Sequence, residues 1–218
     1  MPTRPLLLGH RGVRGEKSTP ENTLAAFDFA LAQGCDGFEF DVRLAGDGQA
    51  VVGHDAKIRG TEVADTSSQA LALPLLRDVL QRYAQAAFLD IELKVPGLEA
   101  LTIDLLKAYT TDRGYVISSF LPEVLNAIHR KDAAIPLGLI CETRTQFDAW
   151  VSLPVQYVIP HRKLIRRSVI TDLANSGRKV LVWTVNSKRE MKQLADWGVD
   201  GLISDDPAEL VRTLQPEF

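Results

Sequence analysis

Glu39-Phe40-Asp41-Val42 and Glu92-Leu93-Lys94 set charged residues two positions apart on otherwise apolar runs. Residues two apart share one face of a strand. Glu39 and Asp41 therefore point together, as do Glu92 and Lys94, with Phe38, Phe40, Val42, Ile91, Leu93 and Val95 on the opposite faces. Carboxylates gathered at one place repel and desolvate one another at a cost of several kcal/mol. A hard divalent cation relieves that cost, and an all-oxygen ligand set suits Mg²⁺ or Ca²⁺ rather than zinc. The competing arrangement is a closed ion-pair network in which Glu39 or Glu92 pairs with Arg11 or Lys94.

Two histidines, His10 and His54, suit acid and base work around neutrality if the fold sets them beside these runs. Charge arithmetic narrows the substrate. Glu39, Asp41 and Glu92 carry three negative charges, while a divalent ion, Arg11 and Lys94 carry four positive ones. The balance matches a monoanion such as a phosphodiester, with Arg11 suited to phosphate oxygens and Lys94 to a developing oxyanion.

These groups meet only if strands deliver them to one place. Short β-rich runs alternate with amphipathic helical stretches. Strand candidates are Pro5–Gly9, Asp36–Val42, Gln49–Gly53, Ala87–Leu93, Tyr115–Ser118, Pro136–Cys141, Gln156–Ile159, Lys179–Thr184 and Gly201–Ile203. Thr19 is a candidate helix cap ahead of Pro20, with Leu24, Phe27 and Leu31 on one face. Leu76, Val79, Leu80 and Tyr83 repeat at helical spacing. Ser187-Lys188-Arg189-Glu190 reads as a capping box with Gly198 closing that helix, and Asp206-Pro207 opens the last one. Only Arg43–Gly48 separates Val42 from Gln49, too short for a crossover helix, and Gly46-Asp47-Gly48 is a turn signal. Gln49–Gly53 is thus an antiparallel accessory strand, and eight strands remain for a (β/α)8 TIM barrel.

Barrel active sites lie at the C-terminal ends of the strands. Those ends carry His10-Arg11, Glu39 with Asp41, Glu92 with Lys94, Ser118-Ser119-Phe120, His161, Trp183 and Ser204-Asp205. If Leu44 pairs with Gln49, His54 lies opposite Glu39. A doubly wound open sheet is the alternative fold, but the chain lacks a glycine-rich dinucleotide turn. At 218 residues the chain is expected to form one barrel domain over residues 1–218, with no room for an inserted domain.

Composition agrees with a soluble globular protein: 45% hydrophobic and 24% charged residues. A net charge of −3 and a pI near 5.8 argue against a nucleic-acid binder. No apolar run approaches a membrane span, and Met1 to Leu8 lacks the features of a signal peptide, so a cytoplasmic location is expected. Cys35 and Cys141 fall at opposite barrel faces and are expected to be reduced.

Taken in order, His10-Arg11-Gly12, Pro20-Glu21-Asn22-Thr23, Glu39-Phe40-Asp41-Val42, His54-Asp55, Glu92-Leu93-Lys94 and Trp183-Thr184-Val185-Asn186 resemble the glycerophosphodiester phosphodiesterase family. So does the closing Gly198-Val199-Asp200-Gly201-Leu202-Ile203-Ser204-Asp205. The resemblance implies metal-dependent hydrolysis of a small glycerophosphodiester, such as glycerophosphocholine or glycerophosphoethanolamine, to an alcohol and sn-glycerol 3-phosphate. It implies one divalent cation on Glu39, Asp41 and Glu92, acid–base catalysis by His10 and His54, and phosphate binding by Arg11 and Lys94. It favours His10 as the acid toward the leaving group. The glycerol 2-hydroxyl attacking first, through a cyclic phosphate, and direct attack by water both fit this sequence.

One departure stands out. Many members carry a small inserted domain and an Arg-Thr-Thr-like stretch after His-Asp, whereas here Ala56–Leu73 is short and reads Lys57-Ile58-Arg59-Gly60, so a reduced lid is expected. Glu21 and Asn22 either brace the site or belong to a helix start. Trp183 stacks on the glycerol or fills core. Phe120 and Leu121 form an apolar lip or pack a loop. His161–Arg167 opens a solvated helix or draws anionic substrates or lipid surfaces. The rival functions are a lysophospholipase D, which needs an apolar channel, and a non-catalytic barrel that binds phosphodiesters.

Overall fold

The computed structural model describes residues 4–215. The first three residues of the stretch weighed as a signal peptide lie outside the described residues. Eight parallel strands close into a barrel: β1 (Leu6–His10), β2 (Gly37–Leu44), β6 (Phe88–Leu93), β7 (Tyr115–Ser119), β8 (Leu137–Cys141), β9 (Tyr157–Pro160), β10 (Lys179–Val182) and β11 (Gly201–Ser204). The order runs β1-β11-β10-β9-β8-β7-β6-β2, and a β1–β2 pairing closes the ring. Helices α1 (Leu24–Ala32), α3 (Leu76–Tyr83), α4 (Glu99–Ala108), α5 (Pro122–Lys131), α6 (Arg144–Asp148), α7 (Arg167–Asn175), α8 (Lys188–Trp197) and α9 (Pro207–Leu214) fill the connections.

β3 (Ala50–Val52) pairs antiparallel with β2 outside the ring, as the turn at Gly46–Gly48 requires. Its register differs from the expected one: Leu44 faces Ala50, one residue beyond Gln49. His54 therefore reaches the site from the loop beyond β3 rather than from a paired position opposite Glu39. The residues after it are more built than expected. β4 (Lys57–Ile58) and β5 (Thr61–Glu62) form a hairpin, followed by the short helix α2 (Ser68–Leu71). Val63 and Leu71 bury against Ala45 and Val51 in a small apolar cluster of their own.

The carboxylate strands are held by their outer faces. Phe27 of α1 stacks on Phe38 at 4.2 Å, and Tyr83 of α3 meets Phe38 edge-on at 5.1 Å. The one proton of the Tyr83 hydroxyl is shared between Asp28 at 2.8 Å and the Leu24 carbonyl at 2.9 Å, tying α3 to α1. Such fully buried aromatics stabilise the fold by about 2–3 kcal/mol each. Gly37 is required where β2 meets β6, since a Cβ there would lie 1.8 Å from the Phe88 carbonyl oxygen. Inside the ring Leu8, Phe88, Val116, Ile140, Ile159, Leu181 and Ile203 form an apolar floor.

Three local signals resolve differently in the fold. α1 is capped by Thr23, whose side chain accepts from the Ala26 N–H, and not by Thr19. Pro20 and Glu21 thus lie in a loop, because Asn22 adopts φ +57 and turns its amide toward β2. At α8 the Ser187 side chain makes no capping bond, and Glu190 instead accepts from Arg162 at 2.7 Å. β10 ends at Val182, not Thr184, and Trp183 bridges to His161. Gly198 closes α8 at φ +86 and Asp206 caps α9, as expected. The run after His161 forms a 3-10 turn over Arg162–Leu164, and α7 starts at Arg167. Cys35 and Cys141 are free and buried, and burial pushes each thiol up to about 12.

Candidate active site

Register assembles the site in two rows. His10 of β1 pairs with Glu39 of β2, which pairs with Asp90 of β6. One step higher, Asp41 pairs with Glu92, and Glu92 with Ser118. Neighbouring residues in parallel register point to the same side, so both rows face the barrel interior. Glu39, Asp41 and Glu92 each bring a carboxylate oxygen within 4.8 Å of the others, and all three are buried.

Their partners differ. Asp41 is held by Lys94 at 3.2 Å, by the Arg11 Nε at 3.2 Å and by the Asn22 side-chain amide at 2.8 Å. Burial works to raise its pKa, but Lys94, Arg11 and Asn22 outweigh it and hold it below the usual range. Glu92 contacts Lys94 at 2.6 Å. Burial, then the Asp41 charge, pushes Glu92 up to about 7. Glu39 accepts from the Arg11 backbone N–H through Oε2, while its buried Oε1 has no partner among the described residues. Burial, followed by the charges of Asp41 and Glu92, raises Glu39 well above the ordinary range. The ion-pair network weighed from sequence therefore forms around Asp41 and Glu92 but leaves Glu39 incomplete.

Both histidines have an oriented ring. His10 Nδ1 lies 2.6 Å from Asp205 Oδ1, and His54 Nδ1 lies 2.7 Å from Asp55 Oδ1. An ionised carboxylate can only accept, so in each pair Nδ1 carries the proton and Nε2 is left for chemistry. His10 Nε2 is 3.8 Å from Glu39. Asp205 is itself held by the Asn186 amide at 2.6 Å. Burial works against its charge, but the bonds from His10 and Asn186 keep its pKa low. The Arg43 Nε donates to the His54 carbonyl at 2.6 Å, anchoring the loop that carries His54.

Arg11 lies buried in the αL region at φ 52, its Nη1 donating to Glu21, which also accepts from Arg14. Glu21 and Asn22 therefore brace Arg11 and Asp41, and the helix-start reading does not hold. Phe120 and Trp183 meet edge-on at 5.8 Å on the far wall, with the Trp183 Nε1 donating to the Ile159 carbonyl at 2.9 Å. The cavity between these walls measures about 310 Å³ and is lined by His10, Arg11, Glu39, His54, Glu92, Lys94, Phe120 and Trp183, among others. Every site residue expected from the sequence meets here, either on the wall or bonded to it.

Sequence reasoning assigned no role to Asp205, Asn186, Asp90, Arg43 or Glu142. Asp205 was visible at a strand end, and strand parity would have found Asp90, two residues before Glu92. Asp90 is fully buried, accepts from Ser118 at 2.5 Å and is pushed up to about 7 by burial. Ser119 is structural, donating to the Leu93 carbonyl.

The model of the glycerophosphoryl diester phosphodiesterase family matches residues 10–101 and 98–209. A glycerophosphodiester phosphodiesterase from Caldanaerobacter subterraneus subsp. tengcongensis is 29% identical, over 96% of this chain and 98% of its own. One from Bacillus altitudinis is also 29% identical, over 94% and 96% respectively. Among solved structures, an Oleispira antarctica phosphodiesterase in complex with the product sn-glycerol-3-phosphate superposes with a TM-score of 0.87 at 25% identity, over 96% of each chain. A barrel of this strand order, with its motifs at these strand ends and matched along nearly its whole length, belongs to the glycerophosphoryl diester phosphodiesterase family.

Proposed function

We propose that this chain hydrolyses small glycerophosphodiesters to an alcohol and sn-glycerol 3-phosphate, with a divalent cation on Glu39, Asp41 and Glu92. The observation that carries this reading is the unpartnered, fully enclosed Glu39 Oε1 beside two further carboxylates. An orphaned buried oxygen costs about 1–3 kcal/mol, and an all-oxygen set fits Mg²⁺ or Ca²⁺. When bound, such an ion supplies Lewis-acid stabilisation of charge on the phosphoryl group.

The chain's own groups do the rest. Asp205 and Asp55 hold the Nδ1 protons of His10 and His54, so each Nε2 gives or takes a proton. His10 enters the step with a proton on both nitrogens and gives the Nε2 proton to the departing alkoxide, while His54 enters with Nε2 free and takes the nucleophile's proton as its oxygen bonds to phosphorus and the bond from phosphorus to the leaving oxygen breaks. Lys94 and Arg11 face the phosphate oxygens, with Arg11 pre-set by Glu21. The cavity of about 310 Å³ lies at the small end of ligand sites and suits a deacylated head group better than a lysophospholipid.

The deciding assay is release of glycerol 3-phosphate from glycerophosphocholine with and without chelator. Metal-dependent release supports the reading, and full activity after dialysis against excess chelator overturns the metal's part in it. Faster turnover of lysophosphatidylcholine would favour a lysophospholipase D instead.

A further inference from the structure

The cavity has two chemically distinct halves. Strands β1, β2 and β6 supply the carboxylates, His10 and Lys94, whereas β7 to β10 supply Phe120, Ile140, Ile159 and Trp183. A single ionisable group from that second half lines the cavity, Glu142. It continues the inward parity of β8 after Gly138 and Ile140, which places its side chain at the cavity mouth. Its backbone is set by the α6 cap, where the Glu142 N–H donates to Gln146 at 3.0 Å.

Nothing neutralises Glu142 among the described residues. Arg144 pairs with Asp148 at 3.0 Å and Arg162 with Glu190 at 2.7 Å, so neither is paired with Glu142. Lys94 lies 5.7 Å from the Phe120 ring but is already paired with Glu92 and Asp41. His161 packs on Trp183 at 5.2 Å, and burial lowers its pKa against the Glu142 charge, which works to raise it. The same side of the cavity carries two half-buried aromatic rings, Phe120 and Trp183, at 88° to one another, one of them locked by its indole hydrogen bond.

Perpendicular aromatic faces beside an uncompensated carboxylate are the recognition chemistry of an alkylammonium group, through cation–π attraction and long-range charge. We propose that Glu142, Phe120 and Trp183 form a subsite that selects a cationic head group on the leaving alcohol. The subsite rests on the phosphodiesterase reading for its place in the reaction, but its ligand chemistry is testable without turnover.

Choline and its neutral carbon isostere 3,3-dimethylbutan-1-ol, titrated into the full chain and followed by tryptophan fluorescence, separate charge from shape. Tighter binding of choline by the wild type, with the difference lost in Glu142→Gln, is the expected result. Equal binding of the two by the wild type, or a preference that survives Glu142→Gln, overturns the subsite. Kinetics give a second measure. The ratio of kcat/KM for glycerophosphocholine to that for glycerophosphoglycerol should fall about threefold to fivefold in Glu142→Gln, the scale of one exposed ion pair. It should fall further in Glu142→Lys, and an unchanged ratio in both variants contradicts the assignment. A chain that binds choline selectively yet releases no glycerol 3-phosphate keeps the subsite and loses the phosphodiesterase reading.

Discussion

His10 and His54 share one local design, a carboxylate on Nδ1 that leaves Nε2 toward the cavity. The two dyads differ in burial: His10 is 8% exposed, while Asp55 lies largely in solvent. Replacing either histidine by Ala should lower kcat/KM at least ~100-fold with the fold intact, as checked by circular dichroism. The variants should then separate on an aryl phosphodiester, whose p-nitrophenolate leaves without much protonation. His10→Ala should recover much of its loss there and His54→Ala should not; recovery by His54→Ala alone reverses the roles. Asp205→Asn removes the negative charge that holds the His10 Nδ1 proton, so activity should drop about 10–100-fold and the pH profile should shift. An unshifted profile at full activity would detach Asp205 from the His10 proton. Glu39→Gln should weaken Mg²⁺ or Ca²⁺ binding, read by calorimetry.

At the scale of elements, the site depends on how β2 and β6 meet. Six paired residues align Glu39 with Asp90 and Asp41 with Glu92, and a slip of β2 by one residue would turn Glu39 and Asp41 out of the barrel. Gly37 sits at the first of those pairs, against the Phe88 carbonyl. Gly37→Ala must therefore push the two strands apart, and a loss of at least about 1–3 kcal/mol in urea unfolding is expected, the usual cost of overpacking. Activity should fall with it, since the pair carries all three carboxylates. A Gly37→Ala chain with unchanged midpoint and activity would mean that the strands tolerate the added methyl by some other movement. The outer aromatics Phe27, Phe38 and Tyr83 act on the same elements, locking β2 from behind.

For the whole molecule, the acidic cluster links stability to pH and to metal. Burial raises Asp90 and Glu92 to about 7, and Glu39 also lies well above its ordinary value. A group whose pKa is higher folded than unfolded binds more protons in the folded state, so its stabilisation is full below the unfolded pKa and is lost as pH rises through the folded one. Chelated protein should accordingly lose Tm as pH rises from about 4.5 through 7. Asp41 and Asp205, whose pKa values are depressed, act oppositely and withdraw their stabilisation only at lower pH. Mg²⁺ or Ca²⁺ at saturating concentration should raise Tm most at the alkaline end, where the cluster is fully charged. A Tm that rises with pH in chelator would show that the cluster is not the dominant linkage. No helix among the described residues is long and apolar enough to cross a membrane.

The strand count, the hairpin at Gly46–Gly48 and the carboxylate pattern were legible in the sequence because strand periodicity and turn chemistry are local. A Glu-Phe-Asp run states its own two faces, and six residues between two strands cannot hold a crossover helix. Asn22 was visible as a residue but not as the partner of Asp41, because the bond between them spans nineteen positions. The β2–β3 register was off by one, since a turn that includes two glycines admits more than one pairing and side-chain packing chooses among them. The capping box at Ser187 failed because Arg162, distant in sequence, offered Glu190 a charged partner. Which buried carboxylate oxygens stay unpartnered, which histidine nitrogen faces the cavity, and that Glu142 is the one ionisable group on the aromatic wall among the described residues all depend on neighbours from other strands. Those are consequences of closing the ring, because only closure brings β1 beside β2 and sets β8 across from β2 over one enclosed cavity.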